Sequence, residues 1–242
     1  MTRQLTMRRA AGVPSERARA VARWFDVPVE AAERRGGRML NCGAPKLEAG
    51  VRSVLITGPS GAGKTTLLRR LRRGLVRQGV MLLSGEVPRA CRRGGSGPTW
   101  VIDLFPQLST EEALRLLARV GLGEVGCYLR PPGYLSRGQR VRLWLAVAFA
   151  QAMGTDRQCL LAVDELGGGL DEVTAFVVCR GLSKLLADHR HVRLIAATSR
   201  AELAVPLRPD AIVRCDFGRL WPVSAGEGLA EELHDHCHEQ QD

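Results

Sequence analysis

Gly58-Pro59-Ser60-Gly61-Ala62-Gly63-Lys64-Thr65 places two glycines five positions apart ahead of a Lys-Thr pair, which is the pattern of a phosphate-binding loop, or P-loop. Glycines at 58, 61 and 63 let the backbone turn its N–H groups toward one point with no Cβ in the way. A helix expected to begin near Lys64 adds its positive dipole end. The Lys64 ammonium is suited to the outer phosphates of a nucleotide, and the Thr65 hydroxyl to one position on Mg²⁺; Thr66 closes the stretch expected to touch the ligand. Farther along, Cys159-Leu-Leu-Ala-Val-Asp164-Glu165 is an apolar run ending in two carboxylates. Asp164 then lies at the C-terminal edge of a strand beside the P-loop, where it can hold Mg²⁺ through water. Glu165 is next in line to polarise an attacking water.

These residues need a sheet to hold them. A strand pattern over 54–57 leads into the loop, and 65–78 reads as a helix with Leu67, Leu68, Leu71, Leu75 and Val76 on its apolar side. Further strands are expected at 80–83, 100–105, 159–163, 193–198 and 211–215, with a short one at 39–41. Ser109 with Glu112 three residues on predicts a capping box, followed by the buried stripe Ala113, Leu116, Leu117 and Val120 and closed by Gly121. Other helices are expected at 141–153 and 173–187. A further one is capped by Ser15, with Ala18, Val21, Ala22 and Phe25 on one face. Strands alternating with helices predict an α/β fold, a mainly parallel sheet flanked by helices. The Arg-Arg-Gly-Gly run at 34–37 and the Gly-rich stretch 89–98 read as loops. The division expected is a basic, helical segment at 1–37, the nucleotide-binding domain at 38–226 and a polar tail at 227–242.

The chain has 242 residues, 45% hydrophobic and 25% charged, which fits an ordinary globular α/β domain. Its longest apolar run, 143–150, falls far short of the roughly 20 residues that cross a bilayer. The basic N-terminus lacks the apolar core of a secretory signal, so a cytoplasmic location is expected. Seven scattered cysteines with no CxxC pair read as reduced structural thiols. The net charge is +10, and only Lys46, Lys64 and Lys184 are lysines among 35 basic residues. Clustered arginine, as at 69, 70, 72 and 73, invites a nucleic-acid partner. A solvated helix face and a coding sequence rich in G and C explain the same residues, and both readings stand.

The loop by itself also resembles that of guanylate kinases, but a kinase has no need of Glu165. Leu135-Ser136-Arg137-Gly138-Gln139, with Gln139 lying 25 residues before Asp164, resembles the Leu-Ser-Gly-Gly-Gln signature of ATP-binding cassette ATPases, and Gly169-Leu170-Asp171 resembles that family's D-loop. The resemblance covers 40–215. It implies the P-loop NTPase fold of ABC ATPase type, hydrolysis of Mg²⁺–ATP, and a head-to-tail homodimer. Each ATP would lie between one subunit's 58–66 and the partner copy's Ser136, Gly138 and Gln139, with Asp171 close by. Ser136 and the N–H groups around Gly138 open a helix, which is itself an anion site.

The sequence departs from the family in two places. Ser199 stands where the family has a histidine at the γ-phosphate, and a serine donates one hydrogen bond but carries no charge. Slow hydrolysis, or a non-hydrolysing ATP switch, is the expectation. Trp100 stands where a glutamine near Mg²⁺ belongs, with Asp103 or Gln107 as substitutes. The 72 residues from Lys64 to Ser136 are fewer than in the family's transporter subunits, which implies a shortened helical subdomain. A membrane partner is therefore not the favoured reading. Residues 104–122 and 207–213 are similar to a group of soluble cassette ATPases, some of which are fused to a predicted acetyltransferase domain. Trp24 and Phe25 are the upstream aromatics available to an adenine base. His234, His236, Cys237 and His238 are ligand types for Zn²⁺ or Ni²⁺, but a frayed polar tail, with nothing rigid to hold a ligand geometry, is the favoured reading.

Overall fold

The computed structural model describes residues 15–24, 50–84, 100–216 and 219–223. The chain divides into two units, Met1–Asn41 and Cys42–Asp242. In the first, helix α1 (Glu16–Trp24) follows Ser15, whose carbonyl accepts from the Arg19 N–H at 3.0 Å. The readings of Phe25, of the strand at 39–41, of the loops at 34–37 and 89–98 and of the His-rich tail all fall outside the described residues.

The second unit is built on a six-stranded sheet of order β2-β3-β4-β1-β5-β6, formed by β1 (Ser53–Thr57), β2 (Met81–Leu82), β3 (Cys159–Val163), β4 (Val192–Ala197), β5 (Ala211–Asp216) and β6 (Arg219–Val223). All neighbours run parallel except β5 and β6. β1 is buried throughout and pairs with β4 on one side and β5 on the other, as its unbroken apolar run requires. Its entry is pinned by Asp210. That carboxylate accepts from the N–H of Arg52 (2.9 Å), the N–H of Ser53 (2.8 Å) and the Ser53 hydroxyl (2.9 Å). Burial pushes the Asp210 carboxyl upward, but these three donors outweigh it and hold it below the ordinary carboxylate value.

Four longer helices accompany the sheet, α2 (Lys64–Arg77), α3 (Thr110–Arg119), α4 (Arg137–Met153) and α5 (Glu172–Asp188); α2 and α5 pack on its strands, while α3 packs on α4 and α5. The expected capping box opens α3, with the Glu112 N–H on Ser109 Oγ at 3.3 Å and the Ser109 N–H on Glu112 Oε2 at 2.8 Å. α4 buries Leu143, Leu145, Ala146, Ala148, Phe149, Ala150 and Ala152. Apolar side chains all around a helix belong to one covered on most sides. α5 presses closely on α3, because a Cβ at Gly181 would lie 1.7 Å from the Arg119 carbonyl oxygen.

Three expectations change. Residues 101–104 form a 3₁₀ turn and not a strand. The Asp103 carboxylate accepts from the Trp100 N–H at 3.2 Å, a local closure that an extended chain does not allow. The strand expected at 80–83 shortens to β2, whose neighbours continue the ladder only through Leu83 N–H to the Leu160 carbonyl. β6, absent from the sequence reading, pairs antiparallel on the sheet edge, where Pro222 opposite Val213 needs no N–H inside the ladder.

Candidate functional site

The P-loop rises from the C-terminal end of β1. Gly58, Gly61 and Gly63 have φ of 134°, 80° and 101°, backbone that a side chain rarely adopts. At Gly58 the requirement is also steric: a Cβ would lie 2.1 Å from the carbonyl oxygen of Cys215 on β5. α2 then starts at Lys64 from a left-handed Gly63, with no side chain capping its first N–H groups and no acidic residue in its first turn. A helix start left this way is an anion site. The Lys64 ammonium lies over the loop and donates to the carbonyls of Gly58 (2.7 Å) and Pro59 (2.8 Å). Pro59, Ser60 and Gly61 are exposed, Ala62 is buried beneath them, and Thr66 is exposed on the first turn of α2.

Thr65 Oγ1 donates to Asp164 Oδ1 at 3.0 Å. The sequence placed Asp164 beside the P-loop; in the sheet, β4 lies between β1 and β3. The two side chains still meet because α2 packs across β4 and β3 as well as β1. A hydroxyl and a carboxylate sharing one point are hard oxygen donors of the kind Mg²⁺ takes, so these residues fit that ion.

After Asp164 the chain turns sharply. Glu165 has φ of 58°, a conformation that costs a non-glycine residue about 1 kcal/mol and clusters at functional positions. The Gly168 N–H bonds to the Glu165 carbonyl at 2.8 Å, and the Leu166 N–H to the Ala197 carbonyl at 2.7 Å. The loop is thereby fixed to β4 while the Glu165 side chain stays exposed. Ser199 is exposed immediately beyond β4, next to the fully buried Thr198. Thr198 was not singled out in the sequence. Its N–H bonds to the Ile56 carbonyl on β1 at 2.9 Å and its hydroxyl to the Leu166 carbonyl at 2.9 Å. A hydroxyl residue directly ending the apolar run 194–197 was the available signal.

The second group of predicted residues lies at the start of α4. Ser136 is its N-cap: the Gln139 N–H donates to Ser136 Oγ (3.2 Å), and the Ser136 N–H donates to Gln139 Oε1 (2.9 Å). Gln139 was assigned to the nucleotide, but its side chain closes this box and also donates to Glu124 at 3.4 Å. Leu170 covers Gly138, where a Cβ would lie 2.9 Å from Leu170 Cδ2. Asp171 caps α5 by accepting from the Thr174 N–H at 2.8 Å, and the Thr174 hydroxyl together with that N–H holds its carboxyl below the usual range. Among the described residues, no hydrogen bond joins Ser136–Gln139 to the P-loop. Of the candidates to replace the missing glutamine, Asp103 is turned to its own 3₁₀ segment, while Gln107 is exposed. Burial pushes the Cys179 thiol up to about 12, and no cluster of three or more His, Cys, Asp or Glu side chains able to hold a metal ion is present among the described residues.

Comparison with known proteins agrees with this geometry. The ABC transporter family profile matches residues 46–165, from before the P-loop through Glu165. The chain is 31% identical over 198 residues to the lipoprotein-releasing system ATP-binding protein LolD of Novosphingobium aromaticivorans, covering 69% of this chain and 83% of LolD. It is 34% identical over 171 residues to the phosphonates import ATP-binding protein PhnC 1 of Rhodopseudomonas palustris, covering 56% of this chain and 59% of that protein. It spans only 13% of the length of another relative, the opaque-specific ABC transporter CDR3 of Candida albicans. Among solved structures, the ADP conformation of an ATP-binding cassette of an ABC transporter superposes with a TM-score of 0.53 at 16% identity, over 76% of this chain and 84% of that one. That likeness carries the fold alone.

Proposed function

We propose, from the premise that this chain belongs to the ABC transporter family of ATPase domains, that it binds Mg²⁺–ATP and hydrolyses it as a head-to-tail dimer. The observation that carries this reading is the meeting of Thr65 and Asp164 at the mouth of a glycine cradle whose helix start has no cap of its own.

Each residue then has a task. The N–H groups of 61–66 and the Lys64 ammonium bind the β- and γ-phosphates. Thr65 and Asp164 would hold Mg²⁺, which supplies charge neutralisation to the phosphates when bound. Glu165, fixed to β4 through its neighbour Leu166, takes a proton from the attacking water. Ser199 orients that water or a γ-phosphate oxygen through a single hydrogen bond. Having no positive charge to offer, it makes turnover slow. Ser136 and Gly138 of the partner copy close the site, with the start of α4 facing the phosphates. Asp171 acts on this interface as a helix cap. ATP binding in this form fits a cytoplasmic protein, and among the described residues no helix is long and apolar enough to cross a membrane.

The test is the rate of ATP hydrolysis against protein concentration, with Glu165→Gln as control. A rate rising more steeply than linearly, and lost in the control, supports the composite site. A linear rate that survives Glu165→Gln sinks it.

A second reading is favoured by the match to LolD over most of that protein's length: the chain energises a membrane partner. Co-fractionation with membranes, released by detergent, separates it from a free-standing ATPase of the acetyltransferase-related group. The nucleic-acid reading draws nothing from these relatives. Arg69 and Arg73 are exposed on α2, as on any solvated face.

A further inference from the structure

Beyond β4 the chain turns at Ser199 and Arg200, and phosphate chemistry leaves Arg200 without a task. Its side chain is only 25% exposed. Nε donates to the Glu202 carboxylate at 2.8 Å, and Nη1 donates to the Leu170 carbonyl at 3.3 Å. Its backbone N–H donates to Thr198 Oγ1 at 3.0 Å, and the same hydroxyl donates to the Leu166 carbonyl. The loop from Glu165 to Asp171 is therefore fastened to the end of β4 twice, near its start through Leu166 and near its finish through Leu170.

Between those points the loop has no slack. The Gly168 N–H bonds to the Glu165 carbonyl, and the Leu170 N–H to the Gly167 carbonyl at 3.2 Å. A Cβ at Gly167 would lie 2.7 Å from Leu203 Cδ1, and one at Gly168 would lie 2.9 Å from the Glu165 carbonyl oxygen. Leu170 in turn lies against Gly138 on the first turn of α4. A contact path thus runs from Ser199 through Arg200 and Leu170 to the start of α4.

We infer that Arg200 is a positioning residue that makes the end of β4, the loop carrying Glu165 and the start of α4 respond as one unit. A planar guanidinium can hold a carbonyl and a carboxylate at once, whereas an ammonium is a single compact charge. The consequence rests on the composite-site reading above, in which Glu165 and Ser199 face one ATP while Ser136 and Gly138 face the other. Under it, Arg200 is the link by which occupancy of one nucleotide site is felt at the second.

The experiment uses the full chain with Arg200→Met and Arg200→Lys, and Glu202→Gln as a control that removes the ion pair but keeps the Leu170 bond. Amide hydrogen exchange is followed over 165–171 and 136–140, with and without a non-hydrolysable ATP analogue, alongside turnover against ATP concentration. Arg200→Met is expected to speed exchange over 165–171 by about tenfold or more, the worth of one charged hydrogen bond. It should also lower kcat by about tenfold through misplacement of Glu165, reduce the Hill coefficient toward one, and leave the Kd for ATP unchanged. Arg200→Lys should fall between, which keeps the test available if Arg200→Met folds poorly, and Glu202→Gln should match the wild type. Unchanged exchange over 165–171 in both Arg200 variants overturns the inference, as does an equal effect from Glu202→Gln. Cooperative turnover in the wild type, untouched in the Arg200 variants, sinks the role of Arg200 and leaves the composite site standing. A wild type without turnover, in which Arg200→Met still loosens 165–171 and uncouples 136–140 from the analogue, keeps Arg200 and removes the hydrolysis reading.

Discussion

The two helices that begin where a phosphate is expected, α2 at Lys64 and α4 at Arg137, are started in opposite ways. α2 follows a left-handed Gly63 and has no side-chain cap, so its first N–H groups look outward for partners. α4 supplies its own cap through the reciprocal Ser136–Gln139 box. Neither carries an acidic residue in its first turn, whereas α3 has Glu111 and Glu112 and α5 has Glu172. Both ends thus leave their dipole uncompensated, but only α2 also leaves its donors unspent. In the composite site proposed above, this contrast would separate a primary site that a ligand completes from a secondary one that is already formed and meets its ligand on another surface.

Gly58→Ala is the strongest test of that contrast. A methyl 2.1 Å from the Cys215 carbonyl must displace backbone, at an expected cost of about 3 kcal/mol, with loss of ATP binding. A variant that melts and binds ATP like the wild type would show that glycine geometry does not hold the α2 start. Next in size is the ligand itself. ATP with Mg²⁺ at about a hundred times its Kd should raise unfolding stability by roughly 2.7 kcal/mol. In dilute protein, amide protection should gather at 61–67 and reach 137–139 only at concentrations where the protein dimerises. Equal protection of both segments in the monomer would erase the distinction.

Ser136→Ala should cost about 1 kcal/mol without any nucleotide, while Thr65→Ala should change nucleotide-free stability by less than about 0.5 kcal/mol. Chemical denaturation of the two variants side by side reads this directly, and the reverse ranking would contradict the assignment of caps. A further small effect concerns Asp210, which braces β1 beneath the P-loop. Its folded value lies below the ordinary 3.8. Its contribution is therefore complete above that value and is lost as the pH falls through the lower, folded one. Asp210→Asn should be less stable than the wild type near neutrality by under about 1 kcal/mol, given solvent screening. The two stabilities should converge in acid, and a gap that widens in acid would assign the wrong sign.

What the sequence made legible follows from how local each feature is. The P-loop, the box of Ser109 and Glu112, and the strand ending in Asp164 are each written in a few consecutive residues, and all three are present in the fold. The 3₁₀ turn at Val101–Leu104 was misread because Val-Ile-Asp-Leu satisfies a strand pattern, and only the Asp103 carboxylate turning back on Trp100 decides otherwise. The insertion of β4 between β1 and β3 could not be read, since strand order is set by packing across the whole sheet. For the same reason Thr198 and Arg200 escaped notice. Their partners, Ile56, Leu166 and Leu170, lie 30 or more residues away along the chain. Gln139 and Asp171 were recognised from their motifs, but their work as caps shows only in three dimensions.

The contact between Gly58 and Cys215 also bears on how the protein is made. Both strands that flank β1 come from far downstream, β4 at Val192–Ala197 and β5 at Ala211–Asp216. A growing chain that has reached residue 190 holds every residue of the phosphate cradle, yet the strand beneath it has neither neighbour. Synthesis proceeds from the N-terminus at roughly 5–20 residues per second, so the cradle residues wait several seconds before β1 can be enclosed. Nucleotide affinity should therefore arrive late and abruptly during translation, when the last parallel strand docks.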